Sequence, residues 1–120
     1  MRGFKASTRN NNLSSGANRD GAIYRPDIIV RNSAGEIVWL VEVETSQGGK
    51  AAVGAAILAD ICMKKTDVTA KPKLLFVFYR SGSNLELAEK RFRALRERIN
   101  NVELLAPVDE NRAFKMIISP

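Results

Sequence analysis

Two short apolar stretches joined by a polar link predict a β-hairpin in the first half of the chain. The stretches cover residues 25–30 and 38–44; both are rich in Val and Ile and both end at turn-forming residues. The link between them, Asn32-Ser33-Ala34-Gly35-Glu36, has the composition of a turn. If the hairpin folds symmetrically about Ala34-Gly35, residues whose numbers sum to 69 face each other.

After the hairpin, the hydrophobic pattern predicts helices alternating with strands. Residues 50–65 are apolar nearly all the way round, which predicts a largely buried helix. The continuous apolar run 73–79 is typical of a central strand covered on both faces. A second helix is predicted over about 84–99, opened by a capping box at Ser83-Asn84-Leu85-Glu86.

The ends of the chain complete the predicted organisation. Residues 102–105 and 113–118 resemble two last strands, and the whole order predicts an α/β fold with a mixed sheet and right-handed crossovers. Residues 1–20 are basic, have no helical or strand period, and are interpreted as a flexible arm or irregular segment. The α/β domain itself is then expected over 21–120.

Three carboxylates occupy positions in the hairpin that strands normally avoid. The register places Asp27 directly opposite Glu42, and strand alternation places Glu44 on the same face. Like charges facing each other destabilise a sheet, and apolar neighbours add a desolvation cost. A divalent cation among the oxygens is the simplest compensation. In the alternative, these acids face water or pair with nearby basic side chains (Arg25, Arg31 or Lys50).

The composition excludes several kinds of chemistry and favours a polyanionic partner. The chain has 120 residues, no His and one Cys, so histidine-based catalysis and His- or Cys-ligated zinc are excluded. The net charge of +6 favours nucleic acid. The longest apolar stretch, 51–59, is too short to span a membrane. Because Cys62 stands alone and no secretion signal precedes the domain, a cytoplasmic, intracellular location is expected.

The hairpin motif resembles that of a known nuclease superfamily. Pro26-Asp27 on one strand and Glu42-Val43-Glu44 on the next, followed by a helix and a strand, resemble the PD-(D/E)xK nucleases, which share the restriction-endonuclease-like fold. The resemblance covers roughly residues 21–80. It implies a mixed sheet flanked by helices, with Asp27 and Glu42 as ligands of Mg²⁺ or Mn²⁺ and phosphodiester bonds in DNA as the substrate.

The sequence departs from the superfamily pattern in two places. Glu44 stands where the family has lysine, so the resemblance implies that Glu44 completes the metal shell or positions water. Lys50 would then supply the positive group, although it could equally be a solvated lysine at a helix start. The helix that precedes the motif strands in the family is not evident in residues 1–20.

Nucleic-acid contacts are expected from basic and amide side chains around the motif. The candidates are Arg19, Arg25, Gln47 and Lys50; Gln47 lies where RecB-type nucleases often carry a helical Gln. The helix over 84–99 is also basic, and it either follows a phosphate backbone or is a solvated helix with i,i+4 ion pairs such as Glu89–Arg93. By analogy such a small domain could work as a homodimer. A non-catalytic nucleic-acid-binding or assembly module with the same fold is the alternative function.

Overall fold

The computed structural model describes residues 3–9, 11, 13, 24–45, 49–63, 71–79 and 84–118, with the side chains of 117 and 118 excepted. These residues form a mixed six-stranded sheet and three helices, a compact α/β domain. The elements in chain order are β1 (Lys5–Ser7), β2 (Ile28–Arg31), β3 (Ile37–Glu44), α1 (Lys50–Met63), β4 (Lys73–Phe78), α2 (Leu85–Arg96), β5 (Glu103–Leu104), β6 (Val108–Asp109) and α3 (Glu110–Ile118).

The sheet combines an antiparallel half with a parallel half. Strands β1, β2 and β3 are antiparallel neighbours, whereas β4 pairs with β3 in parallel after the α1 crossover. Both β5 and β6 then pair with β4 in parallel, at its beginning and its end respectively. The predicted mixed sheet with bridging helices is therefore confirmed at the level of fold class.

The hairpin between β2 and β3 has the register that the sequence predicts. Ile28 pairs with Val41 and Ile29 with Leu40, so their numbers sum to 69, and a bulge shifts the register only after Val30. In the turn, the side chain of Asn32 accepts hydrogen bonds from the backbone N–H groups of Ala34 and Glu36, both at 3.0 Å. Gly35 adopts φ 83°, a left-handed conformation that suits glycine.

Helices cover both faces of the sheet and divide the core in two. On one face, the larger cluster joins alternate residues of β3 and β4 to α1 and α2, and the rings of Phe76 and Phe92 lie 5.2 Å apart at its centre. On the other face, Val41, Leu75 and Val77 pack with Ala113 of α3. Because β4 is buried on both faces, the predicted central strand over 73–79 is confirmed.

Two details of the predicted helices differ in the structure. Helix α1 is buried on its sheet side only, since Ile57 and Ile61 on its outer side are 43% and 39% exposed. In α2 the N-cap is Asn84, whose side-chain oxygen accepts a 2.9 Å hydrogen bond from the N–H of Leu87. Ser83, the predicted capping residue, lies outside the described residues.

The expectation that 113–118 is a strand is wrong, because this segment belongs to helix α3. The side chain of Asp109 accepts a 2.9 Å hydrogen bond from the N–H of Arg112, which is the capping contact that starts a helix. Ala113 and Met116, three residues apart, pack on the sheet while Phe114 is 67% exposed. That spacing is helical, and the β-propensity of the Ile pair at 117–118 outweighed it in the prediction.

The N-terminal segment contains a strand where none was predicted. Lys5–Ser7 forms β1 and pairs with β2, with Lys5 opposite Arg31 and Ser7 opposite Ile29. Leu13 forms an isolated antiparallel bridge with Tyr24. Three residues are too few for a period-two pattern to be visible in the sequence. Among the residues that the structure describes, no helix is long and apolar enough to cross a membrane.

Candidate functional site

The carboxylates of Asp27 and Glu42 meet across the β2–β3 hairpin. The backbone N–H of Asp27 donates a 2.8 Å hydrogen bond to Oε1 of Glu42, and the N–H of Val43 donates a 2.8 Å hydrogen bond to Oδ2 of Asp27. Each acid is thus held by the backbone of the opposite strand through one oxygen. The predicted pairing of the two residues is what the structure has.

Burial and charge make the Glu42 carboxylate unusually basic. Glu42 is half-buried on the sheet face that α1 and α2 cover, where its strand neighbour on β4 is the fully buried Phe76. This burial raises the pKa of Glu42 to about 7, with the negative charge of Asp27 adding to it and the Asp27 N–H working against it. The carboxyl group is therefore near the midpoint of its titration at neutral pH.

A buried tyrosine hydroxyl lies beside the two acids. Tyr24 is only 6% exposed, and its hydroxyl makes no hydrogen bond of ordinary length with any residue in the described part of the chain. Burial, followed by the charge of Glu42, a long hydrogen-bonding interaction with the Glu42 side chain and the charge of Asp27, raises the pKa of this hydroxyl, so it stays protonated. An unsatisfied buried hydroxyl is costly. A polar or charged group bound beside the acids would relieve that cost.

Asn11 fixes the backbone on which Asp27 sits. Its side chain is buried, and Nδ2 donates to the carbonyl of Ser7 at 2.8 Å and to the carbonyls of Pro26 and Asp27 at 3.2 Å each. Sequence reasoning missed both Asn11 and Tyr24. Asn11 lies in the segment interpreted as irregular, and nothing local to it signals contacts with a strand fifteen residues away.

Glu44 does not join the other two acids in a group of three. Strand alternation places it on the same face, but its Oε1 accepts a 2.9 Å hydrogen bond from the N–H of the next residue, Thr45. Within the described residues, no group of three or more His, Cys, Asp or Glu side chains is positioned to hold a metal ion. The structure therefore brings together two of the three predicted acids.

The remaining predicted site residues are divided between the described part of the chain and the rest. Arg25 precedes the buried Pro26 and is exposed, and Lys50 is the exposed first residue of α1. Arg19 and Gln47 lie outside the described residues.

The pair of acids fits the coordination habits of Mg²⁺. This ion commonly takes one or two carboxylates from the protein and completes its shell with water and substrate phosphates. Asp27 and Glu42 present an all-oxygen donor set, which suits Mg²⁺ or Mn²⁺ and does not suit softer metals. Each carboxylate has one oxygen tied to the backbone, which fixes its orientation before anything binds.

On α2, one basic residue stabilises the fold. The guanidinium of Arg96 forms a bidentate ion pair with Glu89, and its Nε donates a 2.7 Å hydrogen bond to the carbonyl of Leu104 in β5. The contact lowers the pKa of Glu89. The predicted Glu89–Arg93 pair is thus replaced by Glu89–Arg96, seven residues apart.

Other basic residues of α2 line a groove shared with α1. The groove has a volume of about 570 Å³ and is lined by Lys50 and Val53 of α1, by Arg91, Ala94 and Leu95 in the second half of α2, and by Arg98 just after its end. We call it the basic groove. It contains Lys50, a predicted site residue, together with Arg91 and Arg98, for which the sequence left a solvated role open.

Comparison of the chain with models of known protein families, with curated proteins and with solved structures finds no significant match.

Proposed function

We propose that this chain is a metal-dependent endonuclease domain of the restriction-endonuclease-like fold that hydrolyses phosphodiester bonds in DNA with Mg²⁺ or Mn²⁺. One observation carries the proposal: Asp27 and Glu42 face each other with like charges, held by reciprocal backbone hydrogen bonds of 2.8 Å. Two ionised carboxylates placed in this way repel each other, and a bound cation would offset that repulsion.

The order of the strands supports the resemblance on which the proposal also depends. An antiparallel hairpin carries the acids, one helix follows, and the next strand lies parallel to the second strand of the hairpin. This is the succession that the resemblance implies for residues 21–80. The acids lie toward the end of β3, beside the edge from which α1 begins.

Each residue of the site has a distinct role in the proposal. A bound Mg²⁺ would supply Lewis-acid activation of water and stabilisation of charge on the phosphate. Asp27 and Glu42 hold the ion through their oxygens, and the backbone N–H groups keep those oxygens in place. Glu44, on the same face at the end of β3, orients water, and Lys50 supplies positive charge to the substrate phosphate.

Cleavage assays with isosteric variants test this proposal. Plasmid and branched DNA are incubated with the wild type, with Asp27→Asn and with Glu42→Gln, in Mg²⁺, in Mn²⁺ and in EDTA. Cleavage is expected only with a divalent ion, and each variant should lose at least about a hundredfold in rate, since each removes a ligand charge. Glu103→Gln, an exposed acid of β5, is the matched control and should retain full rate.

A nuclease activity that survives in both Asp27→Asn and Glu42→Gln would contradict the proposal, because it would come from elsewhere in the chain or from a contaminant. Absence of cleavage on every DNA and RNA form, together with no heat of Mg²⁺ or Mn²⁺ binding, would also contradict it.

The second candidate function is a non-catalytic nucleic-acid-binding or assembly module. The observation that favours it is that only two acids come together in the described residues, while Glu44 stands in place of the family's lysine. DNA binding without cleavage and without divalent-ion binding is its expected signature. Calorimetry of the wild type against the Asp27→Asn variant separates the two functions.

A further inference from the structure

We infer that the basic groove binds an unpaired strand of nucleic acid, with phosphates on its cations and a base on its apolar floor. This inference depends on the proposed function for its choice of ligand and deepens it by naming the form of the substrate. The groove involves neither Asp27 nor Glu42, so it can be tested without cleavage.

The charge of the groove selects an anion. Among the described residues that line it, the ionisable ones are Lys50, Arg91 and Arg98, all of them cations. Lys50 and Arg98 form no ion pair with any other described residue, whereas Arg96 on the neighbouring side of α2 is engaged with Glu89. Arg91 lies within α2 and Arg98 two residues after its end, seven residues further along the chain, so they can contact different groups of an extended ligand.

The groove is held open by the way α1 and α2 pack. The helices run in the same direction: Gly49 lies against Ala88 near their starts, and the Asp60 carboxylate accepts hydrogen bonds from the N–H groups of Asn100 and Asn101 at their ends. Gly49 has φ 70°, and a Cβ there would lie 3.1 Å from the ring of Phe78. Only glycine allows this approach, which places Lys50 at one end of the groove.

The floor distinguishes an unpaired strand from other polyanions. Val53, Ala94 and Leu95 give the groove an apolar part of its lining, which we call its floor. An unpaired base has an apolar face that can lie on such a surface or against an arginine plane, whereas a duplex presents only sugar and phosphate to a groove between two helices. The volume of about 570 Å³ is in the range of ordinary ligand pockets.

The test measures binding by fluorescence anisotropy in EDTA, so that no cleavage occurs. The probe is a labelled single-stranded oligonucleotide, with its duplex form and a poly-glutamate peptide as competitors. Two variants alter the groove: Arg98→Gln removes a cation, and Ala94→Glu places a carboxylate at an exposed helical position on its floor. Lys90→Gln, an exposed residue of the same helix outside the groove, is the matched control.

The wild type should bind the single strand more tightly than the duplex. Arg98→Gln and Ala94→Glu should each weaken binding of the single strand about three- to tenfold, and Arg98→Gln should reduce the salt slope by about one. Lys90→Gln should change affinity less than twofold. Thermal unfolding of each variant confirms that it folds, and Arg98→Gln, which alters a residue after the end of α2, keeps the test informative if Ala94→Glu does not fold.

Three results would overturn the inference. One is equal affinity for single strand and duplex; another is equal weakening by Arg98→Gln and Lys90→Gln, which would mean diffuse attraction to the net charge. The third is displacement by poly-glutamate at matched charge concentration, which would assign the groove to an acidic peptide. Cleavage that depends on Asp27 and Glu42 while the groove variants bind normally would reject this inference and leave the nuclease proposal standing. Binding that the groove variants weaken, without any cleavage, would support the groove inference and reject the nuclease proposal.

Discussion

Two pairs of charged side chains in this domain show opposite electrostatic designs. Glu89 and Arg96 are of opposite charge and meet in a bidentate ion pair that also contacts the carbonyl of Leu104. Asp27 and Glu42 are of like charge and meet through hydrogen bonds from each other's strands. The pKa of Glu89 is lowered by its partner, whereas burial and a neighbouring acid raise the pKa of Glu42.

The difference separates a pair that stabilises the fold from a pair whose ionisation costs stability. In the first pair, every charge is neutralised within the protein, so ionisation of Glu89 stabilises the folded state. In the second, ionisation of Glu42 destabilises the folded state, and either protonation of Glu42 or a bound cation would relieve that cost. A strongly perturbed pKa at a fixed position makes the pair a candidate binding site.

The largest expected change in stability comes from breaking the Glu89–Arg96 ion pair. Arg96→Ala should lower the free energy of unfolding by about 2–3 kcal/mol, because it removes charge-assisted hydrogen bonds to Glu89 and to the backbone of β5. Urea denaturation at neutral pH measures it. Arg93→Ala, on the exposed side of the same helix, is the control and should cost less than about 0.5 kcal/mol. A loss of equal size in both variants would mean that Arg96 is an ordinary surface charge.

The next largest change concerns the like-charged pair, Asp27 and Glu42, whose contribution to the free energy of unfolding depends on pH. Glu42 has an ordinary pKa of 4.5 when unfolded and a pKa of about 7 when folded. Between those values the folded state binds more protons, so the free energy of unfolding falls as pH rises from 4.5 to 7. Glu42→Gln removes this dependence while keeping an oxygen that can accept from the Asp27 N–H.

We expect the free energy of unfolding of the Glu42→Gln variant, relative to that of the wild type, to rise by about 2 kcal/mol between pH 4 and pH 8. This figure allows for partial solvent screening. Urea denaturation in EDTA at several pH values measures the difference, which cancels the titration of the other carboxylates. Glu103→Gln is again the control. A constant difference across the range would mean that Glu42 titrates normally in the folded state.

A bound divalent ion should offset the repulsion between the carboxylates of Asp27 and Glu42. Addition of about 10 mM Mg²⁺ should raise the free energy of unfolding of the wild type by about 1.4 kcal/mol if the dissociation constant is near 1 mM. The gain should be larger at pH 7.5 than at pH 5, since binding requires ionised carboxylates. Asp27→Asn should show no gain, and NaCl at matched ionic strength controls for screening. An equal gain in Asp27→Asn would place the ion elsewhere.

The local sequence pattern was sufficient to predict the hairpin, its register, and the helices and central strand that follow it. Turn composition and apolar alternation place Asp27 opposite Glu42, because a hairpin with a short turn has few registers that keep its apolar face together. The strand expected at 113–118 was wrong because two Ile residues outweighed the Asp109 cap and the helical spacing that precede them.

The contacts that complete the site lie beyond the reach of local pattern. Asn11 bonds to carbonyls fifteen and sixteen residues away, and Arg96 pairs along two turns of helix and then with β5. Tyr24 also pairs with Leu13, eleven residues away, and is buried in the larger core cluster. Such contacts follow from the three-dimensional path of the chain, and residue spacing carries no sign of them.

The smallest effect tests whether that tyrosine belongs to the fold or to the ligand. Tyr24→Phe removes a buried hydroxyl that has no partner among the described residues, so without metal the free energy of unfolding should stay level or rise by up to about 1 kcal/mol. Tyr79→Phe, which removes a hydroxyl from a residue that is 44% exposed, is the matched control and should change nothing.

If Tyr24→Phe instead costs more than about 1 kcal/mol in EDTA, the hydroxyl already bonds to Glu42, and the two acids are less in need of a cation than their geometry indicates. If stability rises in EDTA while the gain from Mg²⁺ shrinks, the hydroxyl serves the bound state, as its place beside Glu42 leads us to expect.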